Sequence, residues 1–285
     1  MLPRNVLWVT CMINRLSEIE VKQYLQRLQL EFDGVPNEAS LCALQIAHLR
    51  HIPFENLDIR HGKALDVSTH KLFEKLILAR RGGICYELNG LFSALLSTLG
   101  FTVSLLAARV FSADNLGPNF DHMLLLVTAA ERKFIVDVGF GDSFLMPLDL
   151  DKKGFTQSDG SYAVDWQDSA YLLIKRDVVG EMRRQYTFTL EEYDIAAFDA
   201  MRQFHQTSAT SHFTQKSICS IATESGRATI SNGRLIKTNA AQKSEFAIVD
   251  VAHYANILQQ EFGFSAQELA DLNSITRIFS ETRAS

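Results

Sequence analysis

The sequence predicts an α+β fold, and three observations carry that prediction. Over the first hundred or so residues, apolar side chains recur at helical spacing behind capping residues; from Phe101 the pattern changes to short apolar runs broken by polar or glycine turns; and the last segment combines an alternating hairpin with a helix start. The expected division is a helical domain over 1–100, a β domain over 101–203 and an α/β domain over 204–285. A chain of 285 residues exceeds one average domain and can bury a substantial core.

The elements follow in order. Ser17-Glu18-Ile19-Glu20 is a capping box, and Ile19, Val21, Tyr24, Leu25 and Leu28 then recur at helical spacing, which predicts a helix over 17–30. Pro36-Asn37 opens a second helix through Leu41, Leu44 and Leu49, which stops before Pro53. A third is expected over 69–79, and a fourth from Cys85 to Leu99, closed by Gly100. Strands are predicted for Thr102–Val110, His122–Thr128, Lys133–Val138, Tyr162–Trp166, Ala170–Lys175 and Glu181–Leu190, followed by a helix from Glu191 to Arg202. Residues 227–237 alternate around Asn232-Gly233, a hairpin signal, and Ser265-Ala266-Gln267-Glu268 caps a last helical segment.

Arg81-Gly82-Gly83-Ile84-Cys85-Tyr86-Glu87 places a thiol behind two glycines and at a helix start. The glycines permit positive φ and close backbone approach, and the first helical turn offers free N–H groups and the positive end of the dipole. Both favour a thiolate, so Cys85 reads as an activated nucleophile. Cys42 and Cys219, by contrast, read as inert core thiols. Asp121-His122 opens one strand and Asp137 closes the next, fifteen residues on, with a polar turn at Glu131, Arg132 and Lys133 between them. Antiparallel pairing would set His122 and Asp137 side by side, with Asp137 orienting the imidazole and His122 taking the Cys85 proton. A thiolate–imidazolium pair suits acyl transfer, because sulfur attacks a thioester well and leaves well. His48, His51, His61, His70 and His205 join no such constellation and read as structural or surface residues.

The nucleophile segment, the spacing of Cys85, His122 and Asp137, Ile52-Pro53-Phe54-Glu55-Asn56-Leu57 and Val136-Asp137-Val138-Gly139-Phe140-Gly141 together resemble the arylamine N-acetyltransferases, and Phe213-Thr214-Gln215, Cys219-Ser220 and Gly226-Arg227 resemble that family's third segment. The match runs from about residue 15 to the C-terminus. The resemblance implies a helical bundle, a central antiparallel β-barrel-like domain and a C-terminal α/β lid, with a papain-like Cys-His-Asp site between the first two. It implies ping-pong transfer of acetyl from acetyl-CoA, as co-substrate, through Cys85 to arylamines, arylhydrazines or N-hydroxyarylamines. On this chain it assigns Cys85, His122 and Asp137 to catalysis, Gly139, Phe140 and Gly141 to CoA, Phe120 and Phe140 to the aromatic ring of the acceptor, and an Arg81–Glu55 ion pair to bracing the nucleophile loop. Ile84 and Leu88 depart from residues common at their positions, and Met1–Met12 precede the family's usual start, with Met12 available as a second start.

Composition bounds the alternatives. A formal net charge of −5 without a lysine/arginine run argues against duplex nucleic acid as partner. Four cysteines without a CxxC pair argue against a zinc site or disulfide framework and for a reducing, cytoplasmic setting. The apolar run Val6–Ile13 is too short for a membrane span and lacks a signal cleavage site. Three other readings remain open on the same residues: an amide synthase of the same family with a polyketide-type donor, a papain-like hydrolase or transglutaminase, and a binding protein with a degenerate site. Oligomeric state has no signature in the sequence.

Overall fold

Ser17 caps the first helix in the expected box: its hydroxyl accepts from the Glu20 amide at 3.3 Å while Glu20 Oε2 accepts from the Ser17 amide at 2.8 Å. The computed structural model describes residues 15–239 and 242–269, so the readings for residues 1–14, including Met12 and the Val6–Ile13 run, lie outside the described residues. The N-terminal part comprises α1 (Glu18–Leu28), α2 (Glu38–His51), β1 (Phe54–Glu55), α3 (Leu57–Arg60), α4 (Thr69–Phe73) and α5 (Cys85–Thr98). Helix α4 runs on into a π-helical turn over Glu74–Leu78 where an ordinary helix over 69–79 was expected; Ala79 N donates to Glu74 O, five residues back. Gly100, at φ +98°, ends α5 as its residue type demands.

The middle part is β2 (Thr102–Ser112), β3 (Asn115–Leu116), β4 (His122–Ala129), β5 (Arg132–Val136), β6 (Leu148–Asp149), β7 (Gly154–Gln157), β8 (Gly160–Gln167), β9 (Ala170–Arg176) and β10 (Met182–Tyr193). They form a nearly closed antiparallel barrel-like sheet in the order β6-β5-β4-β2-β10-β9-β8-β7. Its central strands are buried on both faces, which explains their unbroken apolar runs. Along β4, Met123, Leu125 and Val127 face the helices, while Leu124 and Leu126 face the barrel interior. One expectation fails here: Glu191–Tyr193 extend β10 instead of starting a helix. A bulge after Phe188 lets Glu192 and Tyr193 pair with Leu106 and Leu105.

After a 3₁₀ turn at Ile195–Phe198 come α6 (Asp199–Thr207), α7 (His212–Gln215), β11 (Ile218–Ala222), β12 (Gly226–Ser231), β13 (Arg234–Asn239), β14 (Gln242–Ala247), α8 (Val251–Phe262) and α9 (Ala266–Leu269). The β12–β13 hairpin turns at Asn232 (φ 50°) and Gly233 (φ 67°), both left-handed as an Asn-Gly turn requires. Ser265 Oγ caps the Glu268 amide at 3.2 Å, but the Glu268 side chain turns away to Arg81, so only half of the expected box forms. Helix α8 went unread although Asp250 caps it and Gly263 closes it. Strand β1 pairs with β11, so this second sheet takes its edge from the N-terminal part, and its core with α8 includes Leu57. Among the described residues no helix is long and apolar enough to cross a membrane.

Candidate active site

The loop before Cys85 is shaped by close approach. Glu55 N donates to Gly83 O at 3.0 Å, and a Cβ on Gly82 would sit 2.0 Å from Pro53 O. One on Gly83 would strike the Glu87 carboxylate at 2.7 Å. Neither glycine adopts positive φ, so the conformational half of the sequence argument is wrong and the steric half carries the motif. Glu87 Oε2 accepts from Ile84 N at 3.0 Å, and its Oε1 meets Lys75 at 2.7 Å. Arg81 forks onto Glu55 Oε1 through Nε (3.0 Å) and a terminal nitrogen (2.8 Å), with Asp58 at 3.1 Å. Despite burial, Lys75 and Arg81 hold the Asp58 carboxyl well below the usual carboxylate range.

Cys85 stands at the first position of α5 and is 3% exposed. His122 Nε2 lies 2.8 Å from Asp137 Oδ2, and the Cys85 thiol acts on the same imidazole. Burial opposes a charged ring, but the Asp137 carboxylate, followed by Cys85, outweighs it and pushes His122 up to about 10. The expected side-by-side pairing needs one correction. Leu125 pairs with Val136, so continuing the register sets Asp137 opposite Leu124 and makes it a diagonal neighbour of His122 on the same sheet face.

Asp137 is 1% exposed and fully supplied with donors. Oδ1 accepts from Gly139 N at 2.9 Å and Asn89 Nδ2 at 3.0 Å; Oδ2 accepts from the Tyr186 hydroxyl at 3.0 Å as well as from His122. Sequence reading missed both Asn89 and Tyr186. Asn89 was findable, because it lies four residues after Cys85 on one helix face. Tyr186 comes from β10 and has no local signal. Its ring and that of Phe140 flank the imidazole, with centroids 5.3 and 5.2 Å away.

Cys85 and His122 open into a cavity of about 220 Å³ walled by Phe54, Val110, Gly139, Phe140, Phe213 and Ile218, together with Asp121 and His212. A Cβ on Gly139 would lie 2.7 Å from Cys85 Cα, so the bare glycine is what allows the turn to approach the nucleophile. Gly141, at φ +88°, packs against Phe54 beside the cavity. Phe120 lies elsewhere. Its ring meets Tyr193 and Phe198 edge-on at 4.9 and 5.3 Å and lines a separate outer cavity over β2 and β10. Its left-handed backbone (φ 63°) is tied down by the Tyr86 hydroxyl, which donates to its carbonyl at 2.8 Å. Among the described residues no cluster of three or more His, Cys, Asp or Glu is placed to hold a metal ion.

Known proteins resemble this chain in sequence and in fold. A family model described as N-acetyltransferase matches residues 39–270. The chain is 30% identical to the pineal gland isozyme of arylamine N-acetyltransferase from Gallus gallus, over 82% of this chain and 88% of that protein. It is 32% identical to the arylamine N-acetyltransferase / N-hydroxyarylamine O-acetyltransferase of Salmonella typhimurium, over 86% and 89%. The structure of the Mycobacterium marinum arylamine N-acetyltransferase in complex with CoA superposes with a TM-score of 0.84 at 28% identity, over 91% of this chain and 98% of that one. The chain therefore belongs to the arylamine N-acetyltransferase family and is an acyltransferase.

Proposed function

We propose that the chain transfers acetyl from acetyl-CoA through Cys85 to arylamines, arylhydrazines or N-hydroxyarylamines, with His122 as base and Asp137 as its orienter. The observation that carries this reading is the buried imidazole, shared between a thiol at a helix N-terminus and a carboxylate with four donors. The thiolate attacks the acetyl carbon, a bond to Cys85 forms, and the bond to the CoA sulfur breaks, with the His122 imidazolium passing its proton to the departing CoA thiolate and so becoming the free base for the second half. The oxyanion falls to the backbone N–H groups of Cys85 and Tyr86 at the start of α5, since Glu87 N and Leu88 N already donate to Ile84 O. Ile84 N and Gly139 N are already taken by Glu87 and Asp137. The amine then attacks the acyl carbon and gives its proton to His122, while the Cys85 thiolate leaves into its imidazolium pair.

Gly139, Phe140 and Gly141 border the path that the pantetheine arm would follow, and Phe140 with Phe54 and Phe213 supplies apolar walls for the ring. The size of the cavity suits one acetyl group and one aromatic ring rather than a tethered polyketide. The test is intact-protein mass spectrometry after brief exposure to acetyl-CoA without acceptor, with peptide mapping and subsequent addition of an arylamine. One acetyl group on Cys85, removed by the amine, supports the proposal; retained acetylation in Cys85→Ala overturns it.

A further inference from the structure

Two side chains that the transfer chemistry does not use reach the pocket wall, Asp121 and His212. Asp121 Oδ1 lies 3.2 Å from Nε2 of His205, whose side chain is 2% exposed, while the Asp121 side chain keeps 15% of its surface open. Its Oδ2 rests against the bare Cα of Gly117, where a Cβ would come within 2.6 Å. The position of Asp121 is fixed from its neighbours: Tyr86 donates to the carbonyl of Phe120, and His205 is wedged against Tyr86, His212 and Phe213, with centroids 6.1, 5.8 and 5.1 Å away. His212 lies against Phe213 with the rings tilted by 48° and centroids 3.9 Å apart. Burial, then the nearby His205, hold its ring below the ordinary histidine range against the pull of Asp121. It therefore offers the pocket an uncharged hydrogen-bonding edge.

No lysine or arginine is among the described residues that wall this cavity. A substituted aromatic ring fits within about 220 Å³, and Asp121 and His212 are part of that cavity's wall, so a substituent on the ring comes within reach of them. A ring carboxylate there would face Asp121 with no cation supplied, between apolar walls that screen poorly. A carboxamide, phenol or second amine would instead give the carboxylate a donor.

Resting on the acceptor-pocket reading above, we propose that Asp121, with His212 beside it, is a specificity-determining subsite that selects aromatic amines bearing a ring hydrogen-bond donor and rejects those bearing a ring carboxylate. The near-isosteric pair 4-aminobenzamide and 4-aminobenzoate separates charge from size. The measurement is protection of Cys85 from iodoacetamide by each amine, with peptide mapping to separate Cys85 from Cys42 and Cys219. It needs no acyl donor, so failure of the acetyl-CoA reading appears independently as the absence of an acetyl adduct. In the wild-type protein the carboxamide is expected to protect at concentrations at least tenfold lower than the carboxylate. That preference should shrink to threefold or less in Asp121→Asn and in the smaller Asp121→Ser. A wild-type ratio near one, protection by neither amine, or an unchanged ratio in a folded variant overturns the proposal. If neither variant folds, the wild-type ratio alone decides.

Discussion

Asn89→Ala tests how the proposed triad is held in register. Asn89 is fully buried and joins the nucleophile helix to both strands of the base–carboxylate hairpin. Its Nδ2 donates to Met123 O at 2.7 Å and to Asp137 Oδ1 at 3.0 Å, and its Oδ1 accepts from Val138 N at 3.0 Å. Counting about 1 kcal/mol for each bond between neutral groups and about 2 kcal/mol for the one to a carboxylate, the substitution costs about 4 kcal/mol. That is a large share of the roughly 5–15 kcal/mol that keeps a protein folded. In urea the midpoint should fall by about 1–2 M with an unchanged slope. Alkylation of Cys85 near neutral pH should slow at least tenfold, because the Asp137 turn loses its tie to the nucleophile's own helix. Ser93→Ala is the control: one turn on, the Ser93 hydroxyl only donates to Gly90 O within the helix, and its loss should cost under about 1 kcal/mol. A shift for Asn89→Ala no larger than for Ser93→Ala, with Cys85 alkylation unchanged, would refute the reasoning.

Two further outcomes follow from the buried charges. Folded His122 keeps its proton up to about pH 10, whereas the unfolded ring loses it near 6.5. Its contribution to stability is therefore complete below pH 6.5 and is lost as pH rises through 10, so the wild-type urea midpoint should decline from pH 7 to 10 more steeply than that of His122→Gln. Glu55→Ala removes the fully buried partner of Arg81 and should cost about 3–5 kcal/mol, lowering the thermal midpoint by about 10 °C in calorimetry; a drop under about 2 °C would show that Asp58 and Glu268 alone satisfy the guanidinium.

What was legible in the sequence was local. Caps at Ser17 and Asn37, the glycine that ends α5, and the Asn232-Gly233 turn each act within a few residues, and each appears where the sequence placed it. The apolar runs of β4 and β5 were visible because both faces of these strands meet apolar cores. Strands β1 and β11 were not, since two residues at Phe54–Glu55 become a strand only when Cys219 and Ser220 arrive from far along the chain. The same limit hid the surroundings of the site. Cys85, His122 and Asp137 carry recognisable residue types in recognisable settings, whereas Tyr186 is one tyrosine among several until the barrel sheet brings it to Asp137. Nor does any local pattern connect Asp121 to His205, eighty-four residues later, across the turn from β10 into α6.

The segment Ile52–Leu57 shows how a motif without a reacting group constrains chemistry. The Pro53 carbonyl forbids a side chain at Gly82, and Glu55 grips Arg81, so the nucleophile loop is fixed from this side. Phe54 forms part of the pocket wall. Asn56 Nδ2 donates to the carbonyls of Phe213 (2.9 Å) and Lys216 (2.7 Å), and its Oδ1 accepts from Ile218 N at 2.8 Å, so the opposite wall hangs from the next residue. Successive side chains of one short stretch thus set the distance between the thiol and the surface proposed to receive the aromatic ring. A change at Asn56 would move Phe213 and Ile218 without touching Cys85, and should therefore alter acceptor binding far more than thiol reactivity. A change at Glu55 reaches the nucleophile loop first, so the two neighbours separate the two halves of the proposed reaction.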